Sequence, residues 1–204
     1  MRKMITVKIN GEERQYPQGA TYEDVANDYQ QEYENLIALA ARDGKIRELF
    51  KKLTRDCEIT FFTLKDNVGN KTYVRSATML FLKAVFDVYG REAAQNCRVE
   101  FAVGNGSYIS PRGQIASTAD NAAKIQDRMR ELVAAKTPFL KRSYALDNAM
   151  ELFHTEGMKD KEKLFRYRRG SFVNIYEMDG YYDYYYGYML PNAGYVKWFY
   201  VIAY

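Results

Sequence analysis

Residues 5–11 read Ile-Thr-Val-Lys-Ile-Asn-Gly, and this stretch decides the fold of the N-terminal part of the chain. Its apolar residues alternate with polar ones, which predicts a half-buried β-strand. Asn10-Gly11 is a strong hairpin signal because both residues tolerate a positive φ, so the chain is expected to pair back over residues 13–16. Thr21, followed three residues later by Asp24, then predicts a helix with a capped N-terminus.

Three further strands are predicted after this helix, over residues 36–41, around Ile46 and over residues 57–64. The order hairpin, helix, strand, short strand, strand predicts a two-layer α+β unit of the β-grasp type over residues 1–64. The polar, turn-rich stretch 65–71 is predicted to be a linker.

The remaining residues, 72–204, are predicted to form a second α+β domain. Apolar side chains recur at helical spacing from Val74 to Val88 and predict a long helix that ends at Gly90. Gly104-Asn105-Gly106 predicts a turn. We expect helices packed on a mostly antiparallel sheet. Further helices are expected near residues 125–133 and 149–153, and strands near residues 99–103, 172–176 and 195–204.

The composition is that of a soluble globular protein, with 47% apolar and 27% charged residues in a chain of 204. No apolar stretch has the length of a membrane span, and the N-terminus lacks the pattern of a signal peptide, so we expect a cytoplasmic protein with no membrane partner. The net charge of +4 does not by itself require a nucleic-acid partner. The apolar ending at residues 201–204 predicts that the natural polypeptide continues.

Cysteine and histidine are too scattered to predict a structural zinc site. Cys57, Cys97 and His154 are the only such residues, and no two of them have the spacing of a ligand pair. We expect two reduced, buried thiols and a histidine at a helix end or on the surface.

Three short stretches carry a resemblance to the TGS domain, the small β-grasp module found at the start of threonyl-tRNA synthetase. They are residues 5–11, residues 22–26 (Tyr-Glu-Asp-Val-Ala) and residues 40–45 (Ala-Ala-Arg-Asp-Gly-Lys). The resemblance implies an appendage that binds a small ligand or RNA and has no enzymatic activity.

Residues 71–204 resemble the second additional domain of threonyl- and alanyl-tRNA synthetases, which hydrolyses mischarged tRNA. That domain carries H-x-x-x-H on a helix and C-x-x-x-H near its end, and histidines one helical turn apart can share a Zn²⁺ ion. Asp183 matches the surrounding pattern. The four ligand positions fall here on Arg75, Met79, Tyr185 and Met189. The resemblance therefore implies a degenerate pocket with no catalytic residue and no metal.

The guanidinium of Arg75 stays protonated in proteins and cannot ligate a cation. One hypothesis is that Arg75 replaces the metal as the local positive charge and holds the collapsed pocket through tyrosine rings or through a carboxylate such as Asp183. The alternative is that Arg75 points to solvent.

Over its whole length the chain resembles a group of bacterial proteins in which the same two domains precede a uridine kinase-like P-loop domain. Residues 158–169 and 183–197 carry this likeness. The chain contains no G-x-x-x-x-G-K-[ST] motif, so it has no phosphate-binding loop and is not expected to be an enzyme by itself. The resemblance implies a kinase domain as partner within the parent protein, and ATP and Mg²⁺ as cofactors of that domain only.

The densest basic cluster lies at residues 161–169. Its cations could contact phosphate, and Phe165 and Tyr167 between them could stack on bases, although runs of charge are usually a solvated face. The cluster consists of Lys161, Lys163, Arg166, Arg168 and Arg169.

Three functions follow from these patterns. The first is an accessory or regulatory region of an ATP-dependent uridine (nucleoside) kinase, which could dimerise or recruit a small-molecule ligand. The second is a free-standing RNA- or tRNA-binding module that uses the basic cluster. The third is a metal-dependent aminoacyl-tRNA hydrolase, against which the loss of four ligands argues.

Overall fold

The computed structural model describes residues 3–104, 106–113 and 115–204, so Asn105 of the predicted turn lies outside the described residues. The chain divides into two compact units. Unit 1 comprises residues 1–76 and 187–191, and unit 2 comprises residues 77–186 and 192–204.

Unit 1 contains a five-stranded sheet with one helix, α1, packed on it. The strand order is β2-β1-β5-β3-β4, in which β1 and β5 are parallel and the other neighbours are antiparallel. This is the β-grasp arrangement that the element order predicts. The elements are β1 (Met4–Ile9), β2 (Glu12–Pro17), α1 (Tyr22–Tyr29), a 3-10 helix (Gln30–Glu32), β3 (Ile37–Arg42), β4 (Lys45–Glu48) and β5 (Cys57–Thr63).

Local sequence signals explain the start of this unit. Asn10 and Gly11 both have positive φ, as the hairpin requires. Thr21 Oγ1 accepts a hydrogen bond from Asp24 N, and the Asp24 carboxylate accepts one from Thr21 N, so the capping box is complete. The apolar face of α1 packs into the core through Tyr22, Val25, Ala26 and Tyr29.

Helix α2 runs from Asn67 to Tyr89, so the prediction of a linker over residues 65–71 is wrong. The carboxylate of Asp66 accepts hydrogen bonds from the main-chain N and the hydroxyl of Thr63, and its carbonyl accepts the first helical hydrogen bond, from Asn70 N. The polar residues therefore fix the helix start. Whether residues 1–64 and 72–204 fold as independent domains stays a prediction.

Unit 2 is also α+β. A three-stranded antiparallel sheet has the order β10-β9-β8, and a separate hairpin is formed by β6 and β7. Helices α5 and α6 pack on the three-stranded sheet around Phe153, Phe165 and Ile175. The elements are α3 (Arg91–Asn96), β6 (Arg98–Val103), β7 (Gly106–Ser110), α4 (Ala119–Ala134), β8 (Leu140–Ala145), α5 (Leu146–Thr155), α6 (Lys159–Arg166), β9 (Phe172–Met178) and β10 (Tyr181–Asp183).

The C-terminal residues do not form the predicted strand over 195–204. A short 3-10 helix spans Ala193–Tyr195, and the residues after it have no regular secondary structure. The main-chain amides of Val201 and Tyr204 bind the side chains of Gln126 and Ser117, at 2.9 and 3.3 Å, and not a neighbouring strand. Among the described residues, no helix is both long enough and apolar enough to cross a bilayer.

Candidate functional site

Arg75, which the sequence places at a former ligand position, contacts main chain in unit 1. Its Nη1 donates a hydrogen bond to the carbonyl of Tyr188 over 2.6 Å. The guanidinium also lies against Gly187, where a Cβ would come 2.7 Å from the Arg75 Cζ. Gly187 has a φ of +127°, which disfavours any other residue. Arg75 is half-buried, so the solvent-facing alternative is wrong; contact with a tyrosine ring or with Asp183 stays a prediction.

The two residues after Tyr188 are also held by hydrogen bonds to side chains of unit 1. The main-chain N of Met189 donates to Glu48 Oε1 at 3.2 Å, and that of Leu190 donates to Ser76 Oγ at 2.9 Å. Both acceptor side chains are buried. Three successive residues are therefore each fixed by one polar side chain of unit 1.

The two methionines that the resemblance places at ligand positions are completely buried, Met189 in unit 1 and Met79 in unit 2. The Met189 sulfur lies 3.8 Å from Ser76 Oγ. Protein zinc sites use thiolate, imidazole or carboxylate ligands, and a packed thioether offers none of these. These two side chains act as apolar filling.

Asp183 ends β10 in unit 2 and is almost fully buried. Its Oδ1 accepts hydrogen bonds from Tyr184 N at 2.7 Å and from Lys161 Nζ at 3.3 Å. Burial raises the pKa of the Asp183 carboxyl, and the Lys161 ammonium opposes that shift. Tyr185, the next former ligand position, is half-buried and makes an edge contact with the ring of Tyr176.

Lys161 supplies a positive charge beside Asp183. Its Nζ lies 2.9 Å from Asp160 Oδ2 as well as 3.3 Å from Asp183 Oδ1. Burial lowers the pKa of Lys161, but the two carboxylates raise it by more, so the net shift is upward and Lys161 stays charged. Within unit 2, this ammonium is the cation that neutralises the buried carboxylate.

The predicted basic cluster is divided by the fold. Lys161 belongs to the pair just described, and Arg168 Nη1 donates to the Tyr184 hydroxyl at 3.1 Å. Phe165 is buried in the core, so it cannot stack on a base as the sequence suggested, whereas Tyr167 is 84% exposed. Lys163, Arg166 and Arg169 are exposed, and Arg168 is exposed as well although it contacts Tyr184.

Histidine and cysteine are placed outside any shared site. His154 is 82% exposed near the end of α5, and its Nδ1 lies 2.8 Å from Glu162 Oε1. Cys57 and Cys97 are free thiols that are only partly buried, so the prediction of buried thiols was too strong. In the described part of the chain, no group of three or more His, Cys, Asp or Glu side chains could hold a metal ion.

A polar groove in unit 1 is lined by two carboxylates that both accept hydrogen bonds. It has a volume of about 840 Å³ and lies between the end of β2, the start of α1 and Lys52. Its two carboxylates are engaged, Asp24 in the capping box and Asp28 by the hydroxyl of Tyr16 at 2.9 Å.

Sequence reasoning missed two residues of this region. Glu48 is separated from Met189 by 141 positions, and no local pattern marks a buried carboxylate at the end of β4. In the sequence, Lys161 stands out only as one member of the basic stretch 161–169. Its spacing on the amphipathic α6, four residues before the buried Phe165, places it on the buried side of that helix and could have indicated its role.

No protein-family model matches the chain. Curated proteins similar to it are threonine–tRNA ligases. That of Porphyromonas gingivalis strain W83 is 25% identical over 194 residues, which cover 92% of this chain and 29% of the ligase. That of Thermotoga maritima is 27% identical over 203 residues, covering 96% and 30%, and that of Rhizobium etli strain CIAT 652 is 27% identical over 176 residues, covering 85% and 26%.

The chain thus spans less than a third of the length of these relatives. Most of it is similar to threonyl-tRNA synthetase, as the sequence predicted. The three relatives are ligases, and they give no support to the predicted link with a nucleoside kinase.

Proposed function

We propose that this chain is a non-catalytic module, related to the editing region of threonyl-tRNA synthetase, in which side chains that do not ligate zinc occupy the former ligand positions. The observation that carries the proposal is the complete burial of Met79 and Met189, which occupy two of the four former ligand positions. A third position holds Arg75, whose guanidinium cannot ligate a metal and contacts a main-chain carbonyl.

Electrostatics support the same proposal. The carboxylate of Asp183 is the acidic group nearest in sequence to the second motif, and its charge is opposed by Lys161. A divalent cation at Asp183 would have to displace an ammonium that also pairs with Asp160, against like-charge repulsion. The residues present therefore favour a packed core and disfavour a hydrolytic centre.

Zinc content and deacylation test this proposal together. The protein is incubated with excess Zn²⁺, desalted, and analysed by inductively coupled plasma mass spectrometry, and a second sample is assayed with mischarged threonine tRNA. We expect no stoichiometric zinc and hydrolysis no faster than in buffer. Retention of one zinc per chain, or hydrolysis abolished by a chelator, would restore the hydrolase hypothesis.

The finer hypothesis is that the module regulates an ATP-dependent uridine (nucleoside) kinase in the same polypeptide. It rests on the resemblance alone. Reading the gene past the codon for Tyr204 tests it, since a P-loop motif within the next few hundred codons is expected. A stop codon directly after Tyr204 would remove this hypothesis and leave the module without a kinase.

RNA binding is the second candidate function, and the exposure of part of the basic cluster favours it. Lys163, Arg166 and Arg169 are exposed on and just after α6, and Tyr167 presents an exposed ring between them. Cations next to an exposed aromatic ring suit a phosphate backbone with unstacked bases.

Fluorescence anisotropy with a labelled RNA hairpin tests this candidate. The double variant Arg166→Ala/Arg169→Ala should weaken binding and reduce the slope of log K against log salt by about 2. Arg130→Ala is the matched control, because Arg130 is an exposed arginine on a different helix, α4. Equal effects of the double variant and the control would exclude a specific role for the cluster.

A further inference from the structure

Unit 2 carries a large exposed surface of apolar side chains that neither candidate function uses. Each of these side chains is more than half exposed, which is unusual for residues of this size. We call the surface the aromatic patch, and it consists of Phe101, Val103, Trp198, Tyr200, Ile202 and Tyr204.

The two segments that form the aromatic patch touch each other. Phe101 on β6 is paired across the hairpin with Tyr108 on β7, and the two rings stack with centroids 5.1 Å apart. The Tyr108 ring in turn meets the Tyr204 ring edge to face at 6.3 Å. Val103 lies two residues beyond Phe101 and shares its face of the strand. The patch is therefore continuous from the hairpin to the C-terminal segment.

The C-terminal segment displays its aromatic residues in a fixed orientation. The even-numbered residues from 198 to 204 are exposed, whereas Phe199, Val201 and Ala203 between them are partly buried. Hydrogen bonds from Val201 N to Gln126 and between Tyr204 and Ser117 hold the backbone. The outward direction of Tyr200 and Ile202 is thus a property of the fold.

The area of the patch is that of a protein interface. An aromatic side chain buries about 150–250 Å² when it is fully covered, so the four exposed aromatic residues leave about 600 Å² uncovered, and Val103 and Ile202 bring the total to about 800 Å². The largest patch on a typical monomer is about 300–600 Å². A standard interface takes about 800 Å² from each partner.

We propose that the aromatic patch is the self-interface of a two-fold symmetric dimer of this chain. The area matches one half of a standard interface, and a closed symmetric dimer is the commonest way for a chain to cover such a surface. At the border of the patch, Arg98 and Lys197 are exposed, and Glu100 is paired with Arg112 within the chain, with Nη2 and Oε1 2.9 Å apart. The apolar side chains, and not the charges at the border, therefore carry the proposed contact between two copies.

Sedimentation velocity of the full chain over about 1–100 µM tests the proposal, because this range reports micromolar dissociation constants. We expect a dimer at the upper end. Tyr200→Glu and, separately, Phe101→Ser should each raise the dissociation constant by at least about 30-fold, since each change removes a central aromatic contact twice. Tyr167→Glu is the matched control, because Tyr167 is an equally exposed tyrosine outside the patch.

Circular dichroism melting of each variant shows whether the fold is retained, and two independent variants guard against one failing to fold. A wild-type chain that stays monomeric at the highest concentration would overturn the proposal and assign the patch to a different partner. A dimer that resists both Tyr200→Glu and Phe101→Ser would also overturn it, because the interface would then lie elsewhere.

Discussion

The guanidinium of Arg75 holds main chain within unit 1. The resemblance places Arg75 at the position of a metal ligand, and in the structure it supplies a charged donor to the Tyr188 carbonyl. A hydrogen bond from a charged group contributes about 1.5–3 kcal/mol, so Arg75→Ala should lower the free energy of unfolding by about that amount, measured by urea denaturation. This loss of stability is smaller than that expected for breaking a buried ion pair, because the group that accepts from Arg75 is a neutral carbonyl.

Arg55→Ala is the matched control for Arg75→Ala. Arg55 is an exposed arginine of unit 1 whose ion pair with Asp43 is worth little in water, so its removal should change the stability by less than about 1 kcal/mol. If the two alanine variants lose the same stability, Arg75 does not fix the 187–190 segment. The loss of stability in Arg75→Lys should lie between the losses in Arg75→Ala and Arg55→Ala, because a lysine ammonium keeps a charged donor but lacks the planar fork of arginine.

Cys97 gives a prediction about pH at the same scale. Partial burial raises the pKa of its thiol from an ordinary value of 9.0 to about 11, so the reactive thiolate is about 100-fold scarcer below pH 9. In a Cys57→Ser background, iodoacetamide should alkylate Cys97 about 100-fold more slowly in the native protein at pH 8 than in urea. The rate should keep rising up to about pH 11.

Mass spectrometry of the alkylated peptide over the pH series measures both rates. Because the folded pKa lies above the unfolded one, the protonated thiol favours the native state, and this stabilisation is lost as the pH rises through the folded pKa. Native and unfolded rates that coincide at pH 8 would show that the thiol is as acidic as a free one.

At the scale of elements, the start of α2 reverses an ordinary rule about helices. Replacing glycine by alanine inside a helix normally stabilises it by about 1 kcal/mol. At Gly69, however, a Cβ would overlap the carbonyl oxygen of Thr63 at the end of β5. We therefore expect Gly69→Ala to destabilise the protein by about 1–3 kcal/mol in urea denaturation, because backbone atoms must move apart.

Asn70→Ala is the control for the Gly69 prediction. Its side chain is exposed at the next position of the same helix, so alanine should leave the stability unchanged or raise it slightly. A stabilising Gly69→Ala would mean that α2 and β5 do not approach as closely as the structure has them.

The same scale shows which elements could be predicted. The hairpin at Asn10-Gly11 and the helix after Thr21 were predictable because their signals are local hydrogen bonds and φ values. The start of α2 within residues 65–71 was not predictable, since a polar turn that leads into a helix has the same composition as a linker. The alternating pattern of residues 195–204 predicted a strand. In the structure the alternation separates exposed from partly buried side chains, and the amides of Val201 and Tyr204 donate to Gln126 on α4 and to Ser117.

The sequence predicts which positions form the candidate site, but it does not predict which side chains contact them. The assignment of Arg75, Met79, Tyr185 and Met189 to the ligand positions of the resembled domain stays a prediction from the sequence. Two contacts join residues that are distant in sequence: the ion pair of Lys161 with Asp183 and the hydrogen bond from Met189 N to Glu48. No periodic pattern in the sequence predicts such contacts.

At the scale of the whole molecule, the β-grasp sheet ends by residue 63, but unit 1 includes residues from much later in the chain. Residues 1–64 contain all five strands and should fold alone. They lack the main-chain amide of Met189, which donates to the buried carboxylate of Glu48. Since a hydrogen bond to a carboxylate contributes about 1.5–3 kcal/mol, the isolated fragment should be less stable by about that amount.

Hydrogen exchange of the β1 and β5 amides measures this difference in the fragment and in the full chain, because exchange reports the stability of the sheet even where the rest of the molecule unfolds separately. Glu48→Gln is the discriminating variant. It should lower the protection of these amides in the full chain, where the charged acceptor is lost, and change the fragment less, because Met189 is missing there. Equal protection in fragment and full chain would mean that the sheet is complete by residue 64 and that residues 187–191 add nothing to it.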